Sequence, residues 1–236
     1  MGFKYLNKEQ DIFDGDDGED VYANEEQLQA RLEYFEDQLA GLSEGAPIEE
    51  RITSLLEIGR IQVERYKGAD AWEKAFTAFN LAQQDELWEL AVEACDVMFL
   101  SEGPDALVAL GHALWLGVTF PIDPEITVAM LQHLVEESPE EADTRAVAAA
   151  AAHYITSVRC GADDELTFFT SQMLASVADK HSHITDQSTF DLWRKTLKLD
   201  EPEVFLKKLS GAVDQLVDDK WWIDRDKIKA KLDNET

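Results

Sequence analysis

From Asn24 onward apolar residues return every three or four positions, and Gly, Pro or an acidic break closes each run. Leu28, Leu32, Phe35 and Leu39 make the first stripe, with Asn24 and Gln27 at capping-box spacing and Gly41 at its end. A second helix opens at Pro47 and carries Ile48, Ile52, Leu55, Leu56, Gly59, Val63 and Tyr66 before stopping at Gly68. Asp70 caps a third through Gln84, and Asp85 a fourth through Leu100. Pro104 and Pro124 open a fifth and a sixth. Ser138-Pro139-Glu140-Glu141 reads as a cap, a proline and two acids at a positive helix end, introducing a helix to Cys160. Asp163, Asp164 and Glu165 start another to Lys180; two more cover 186–199 and 202–219, and a short one follows Trp222. Nothing alternates with period two. The pattern predicts an all-α chain of about ten helices in antiparallel hairpins, stacked as a short solenoid or closed as a bundle.

One internal similarity refines this. Trp72-Glu73-Lys74-Ala75-Phe76-Thr77-Ala78 aligns with Trp88-Glu89-Leu90-Ala91-Val92-Glu93-Ala94, an offset of 16 residues on consecutive helices. Alanines at helical spacing let two helices approach closely, while each Trp fills the ridge beside them. With Pro104 shortly after the second helix, residues 55–104 resemble a tetratricopeptide helix-hairpin unit. The resemblance implies a stacked hairpin architecture and a protein-binding role. The family's Leu-Gly pair has no equivalent in register, because Leu56-x-Ile58-Gly59 lies too far upstream.

Charge narrows the class of partner. The chain of 236 residues holds 49 Asp and Glu against 21 Lys and Arg, a formal −28. In blocks of fifty the balance is −12, −4, −8 and −2, then −2 over the last 36 residues. Six acids fall within Asp11 to Asp20, so residues 1–23 read as an acidic tail, with Phe13, Val21 and Tyr22 as a conceivable docking motif. The helical domain then spans 24–219. Residues 220–236 form a distinct end, where 220–231 set five Lys or Arg against two Asp beside Trp221 and Trp222. No basic cluster suits DNA or RNA, and the longest apolar stretch, Ala106 to Val118, is too short for a bilayer. The N-terminus lacks an apolar signal region, and Leu6 stands where an N-myristoylation signal has Ser or Thr. Two cysteines, Cys95 and Cys160, make no disulfide framework. The expectation is a cytoplasmic protein.

Catalytic motifs are missing. None of the five histidines sits in Glu-x-x-His, His-Glu-x-x-His or His-Asp, and no Cys-x-x-Cys, phosphate loop or Gly-x-Ser-x-Gly occurs. Asp179, His181, His183 and Asp186 are candidate metal ligands at a helix end; the alternative is a polar helix terminus with His near its negative end. His153 and Cys160, two helical turns apart, sit about 10 Å from each other along the axis, too far for a thiolate–imidazole pair. Cys160 itself reads as a buried end of an Ala-rich helix. Asp16-Asp17-Gly18-Glu19-Asp20 spells a magnesium motif, but within the tail and without a second acidic partner; a calcium loop from Asp14 fails at Glu19.

The expected function is a non-catalytic, cofactor-free protein-binding module: an adaptor, accessory factor or dedicated chaperone that takes a basic or amphipathic segment of another protein. Trp72, Trp88 and Trp115, or the pair Trp221 and Trp222, are the candidate contact residues. The alternative for the C-terminal pair, and the weightier one, is that it packs back on the body, with the Lys run balancing an acidic face. Two alternatives remain open: an inhibitor or immunity-type protein that neutralises a basic partner or imitates nucleic acid, and a helical enzyme built on the 179–186 metal candidates.

Overall fold

The computed structural model describes Leu6 and residues 18–235, with side chains at Leu6 and 24–234. Its helices are α1 Gly18–Gly41, α2 Ile48–Glu64, α3 Gly68–Gln84, α4 Trp88–Leu100, α5 Ala106–Thr119 and α6 Pro124–Glu137. They are followed by α7 Asp143–Arg159, α8 Glu165–Ser182, α9 Gln187–Leu197, α10 Pro202–Val217 and α11 Arg225–Glu235. No strand occurs among the described residues, so the all-α expectation stands. The acid-rich run 11–17 and Phe13 lie outside the described residues.

Short turns make each consecutive pair from α1 to α8 a packed neighbour, and α4 also touches both α2 and α6. The even-numbered helices α2, α4 and α6 therefore form one layer, with α3 and α5 behind them. Regular stacking ends where α10 returns to lie against both α5 and α7. Alanine makes the tight part of the stack possible. Ala71, Ala75, Ala78 and Ala82 of α3 and Ala91 and Ala94 of α4 are fully buried. A Cβ on Gly59 of α2 would come within 2.9 Å of Val97 Cγ1. The Trp-Glu-x-Ala-x-x-Ala repeat thus occupies the helix contacts that its small residues predict. Helices α5 and α7 are enclosed on several sides, by α4, α6 and α10 and by α6, α8 and α10. That explains why Val108 to Gly117 and Ala146 to Ala152 are buried around the whole helix rather than along one stripe. Gly111 is where α10 crosses α5: a Cβ there would lie 2.5 Å from Val217 Cγ2 and 3.5 Å from the Val213 carbonyl.

Several helix ends differ from expectation, each for a local reason. Asp123 does cap α6, accepting from Glu125 N–H, and Asp164 caps α8 through Leu166 N–H. Asn24 lies inside α1, which begins at Gly18. Lys67, not Asp70, precedes α3, and Asp85 ends α3 instead of starting α4. Ser138 closes α6: its hydroxyl donates back to the Leu134 carbonyl at 2.6 Å, which removes it as a forward cap. The chain then makes a turn, and α7 starts at Asp143. Arg159 at the far end of α7 donates to the carbonyls of Ile122, Gly117 and Phe120 at 3.0–3.1 Å. One guanidinium thereby fixes the whole α5–α6 connection.

Candidate functional site

The five tryptophans singled out in sequence converge on one aromatic chain. Trp72 of α3 meets Trp222 edge-on with centroids 6.0 Å apart, and Trp222 stacks on His112 of α5 at 4.4 Å. His112 meets Trp221, Trp221 meets Trp115, and Trp115 reaches Phe120, on which Trp88 stacks at 4.8 Å. Trp115 is buried and the other four are half-buried. Their faces are directed at one another, and this seam holds the C-terminal segment to α3 and α5. Arg225 lies over the Trp221 ring at 3.7 Å. The Lys run balances acids of the body, as Lys220 pairs with Asp105 at 2.8 Å and Lys231 with Glu86.

His112 is the polar pin of the seam. Its Nε2 accepts from the Trp222 backbone N–H at 2.8 Å, so the ring proton belongs on Nδ1, which donates to the Val108 carbonyl at 2.8 Å. Burial, with the charge of Arg225 adding to it against the Val108 bond, lowers its pKa to about 4. His112 is therefore a neutral structural group at neutral pH.

A second line of polar contacts crosses the even-numbered layer. Arg60 of α2 pairs with Glu57 at 2.5 Å and with Glu93 of α4. His133 of α6 reaches Asp96 of α4 at 3.1 Å and Glu136 at 3.9 Å. Burial alone would lower the His133 pKa. The hydrogen bonds and charges of the two carboxylates outweigh that and raise it to about 9. These paired groups align neighbouring helices.

The metal candidates are not assembled. Among the described residues no group of three or more His, Cys, Asp or Glu side chains gathers at ligand distance. Asp186 caps α9 through Ser188 and Thr189 N–H at 3.0 and 3.2 Å, while exposed His183 is the left-handed residue ending α8. His181 Nδ1 accepts from Trp193 Nε1 at 3.2 Å. Cys160 is exposed, a correction to its expected burial, because it lies past the packed end of α7; Cys95 is the buried one.

The residue that sequence reasoning misplaced is Tyr66. Its spacing places it in the apolar stripe of α2, but α2 ends at Glu64 and Tyr66 is 96% exposed. Its φ of 54° turns the chain left-handed, carrying the ring off the helix face. The Lys67 N–H closes onto the Gln62 carbonyl at 2.8 Å, a Schellman-type end that usually takes Gly at the position Tyr66 occupies. A Cβ on Gly68 would collide with the Ser101 carbonyl, so this turn sits directly against the α4–α5 turn. Leu100 and Leu107, both exposed, flank that second turn. Asp70, in the first turn of α3, and Glu102, in the α4–α5 turn, are exposed with no ion pair among the described residues, and Lys67 is an exposed base next to Tyr66. Two adjacent turns at one end of the stack thus expose Tyr66, Leu100 and Leu107, with two acids and one base nearby in sequence. Among the described residues no helix is long and apolar enough to cross a membrane. No family model, curated protein or solved structure gives a match to the chain.

Proposed function

We propose that this chain is a non-catalytic protein-binding module, an adaptor, accessory factor or dedicated chaperone whose partner supplies a basic amphipathic segment. The observation that carries the reading is Tyr66: a large aromatic, almost wholly exposed, at a left-handed position where glycine is favoured. A non-glycine residue there costs about 1–2 kcal/mol, and in this turn the ring gains no burial in return. Exposed Leu100 and Leu107 on the neighbouring turn add apolar surface, and exposed Asp70 and Glu102, in a chain of net charge −28, steer a positively charged partner. The stacked helix hairpins of residues 55–104, which resemble a tetratricopeptide unit, supply the rigid frame for this turn. The tryptophan seam contributes by holding that frame together.

The test is capture of partners from lysate at graded salt with the natural protein and with Tyr66→Gly. Glycine suits the left-handed backbone, so the variant is expected to fold as stably as the natural protein and to lose most of the captured partner. Capture should fall steeply with salt. Absence of any partner at low salt, or equal capture by Tyr66→Gly, would defeat the proposal.

A further inference from the structure

A separate cleft lies between α7, α8, α9 and α10, in two adjoining lobes of about 330 and 220 Å3. His153 of α7, Leu174 of α8 and Arg194 of α9 line both. Phe190, Ile184 and Ala175 give the larger lobe an apolar wall, with Ser171 and Thr185 as polar neighbours. Tyr154 and Ser157 add hydroxyls to the smaller one.

Arg194 is the unusual member. In a chain with 49 carboxylates it forms no ion pair among the described residues, and its Nε is buried without a hydrogen-bond partner. Its guanidinium lies over the Phe190 ring, 5.9 Å from the centroid, which holds it in the cleft. The other arginine with a buried, unpartnered Nε, Arg145, has a role in the fold through the Ser138 carbonyl. His153 stands next to Arg194, and both burial and that positive charge lower its pKa. Two acids also line the lobes. Both oxygens of Asp186 are occupied by Ser188 and Thr189, whereas Asp200 is open to solvent.

We infer that this cleft is a binding site for a small organic monocarboxylate, its carboxylate on Arg194 and His153 and its apolar body against Phe190, Ile184 and Leu174. A planar guanidinium with free donors matches a carboxylate in geometry and charge. The aromatic and aliphatic wall suits an aryl or short alkyl body. A net charge of −28, with Asp186 and Asp200 both lining the lobes, opposes a multiply charged phosphate more strongly than a singly charged carboxylate. None of these residues belongs to the Tyr66 surface, so the two sites are separable.

The experiment titrates 15N-labelled protein with 4-phenylbutyrate, its neutral amide and inorganic phosphate. Saturable shifts from the carboxylate, confined to α7–α10, are expected at up to about 10 mM ligand. The amide should bind at least about tenfold more weakly, and Arg194→Gln should weaken the acid by a similar factor. Phosphate should cause no saturable shift there. Ser171→Trp, which fills the larger lobe from α8, is a second variant and should abolish binding if Arg194→Gln proves misfolded. Absence of saturation, equal binding of acid and amide, unchanged affinity in a folded Arg194→Gln or Ser171→Trp variant, or phosphate binding as tightly as the acid would overturn the assignment.

Discussion

Raising the pH from 6.5 to 9 titrates a bond between two helices of the even-numbered layer. His133 of α6 holds Asp96 of α4 at 3.1 Å, and its pKa rises from 6.5 to about 9 on folding. A folded pKa above the unfolded one means that the native state binds the proton more tightly. The stabilisation is therefore complete below pH 6.5 and is lost as pH climbs through 9. That shift corresponds to about 3 kcal/mol at full value. The two side chains are only 21% and 13% exposed, so solvent screening trims the figure modestly, to roughly 2–3 kcal/mol. Urea unfolding of the natural protein and of His133→Gln at several pH values between 6 and 9.5 measures it. The difference between the two curves removes the background from the many surface carboxylates. The natural protein should lose roughly 2–3 kcal/mol more than the variant across the window. Parallel curves would show that the His133–Asp96 pair contributes nothing to folding, and would refute the assignment of a protonated imidazole between α4 and α6.

Three further outcomes follow from the packing. Gly111→Ala drives a methyl into Val217, and should cost about 1–3 kcal/mol in thermal or urea unfolding; adding Val217→Ala should recover part of that loss. Nitrogen-15 NMR of the histidine rings should find His112 as the Nδ1–H tautomer, neutral until the pH approaches about 4. Because that pKa is lowered, its share of stability is present above pH 6.5 and declines as the pH falls toward 4, the opposite sense to His133. Arg159→Leu removes a charged donor from three backbone carbonyls, of which Gly117 keeps Thr127 Oγ1 and Phe120 keeps the Ile122 N–H, and should lower stability by roughly 1–3 kcal/mol while increasing hydrogen exchange in the 117–123 connection.

The helices themselves were legible because each carries its own period and most ends carry a proline or acid beside the first turn, as at Asp123-Pro124 and Asp164. Junction residues were less so. Asp85 and Ser138 belong to types that start helices, yet both finish one, since connections of three and five residues let either neighbour claim them. The exposure of Tyr66 has no local signature for a related reason: the residue keeps the spacing of the α2 stripe, and only its left-handed backbone removes it. Long-range convergence left no local trace. Trp222 meets His112 across 110 residues, and Arg194 acquires its place beside His153 only when α9 folds onto α7 and α8. The seam is hinted at by the density of tryptophans, but the surface they were expected to offer is largely turned inward.

The most direct measurement of the binding role is photo-crosslinking from position 66. A photoreactive phenylalanine analogue in place of Tyr66 keeps an exposed ring in the same turn, and Leu192 on α9, also exposed, provides a control position. The account predicts crosslinks from position 66 to a partner through a basic segment, at low salt, with few from position 192 and a steep loss as salt rises. Crosslinking that is equal at the two positions, indifferent to salt, or absent at position 66 would contradict it.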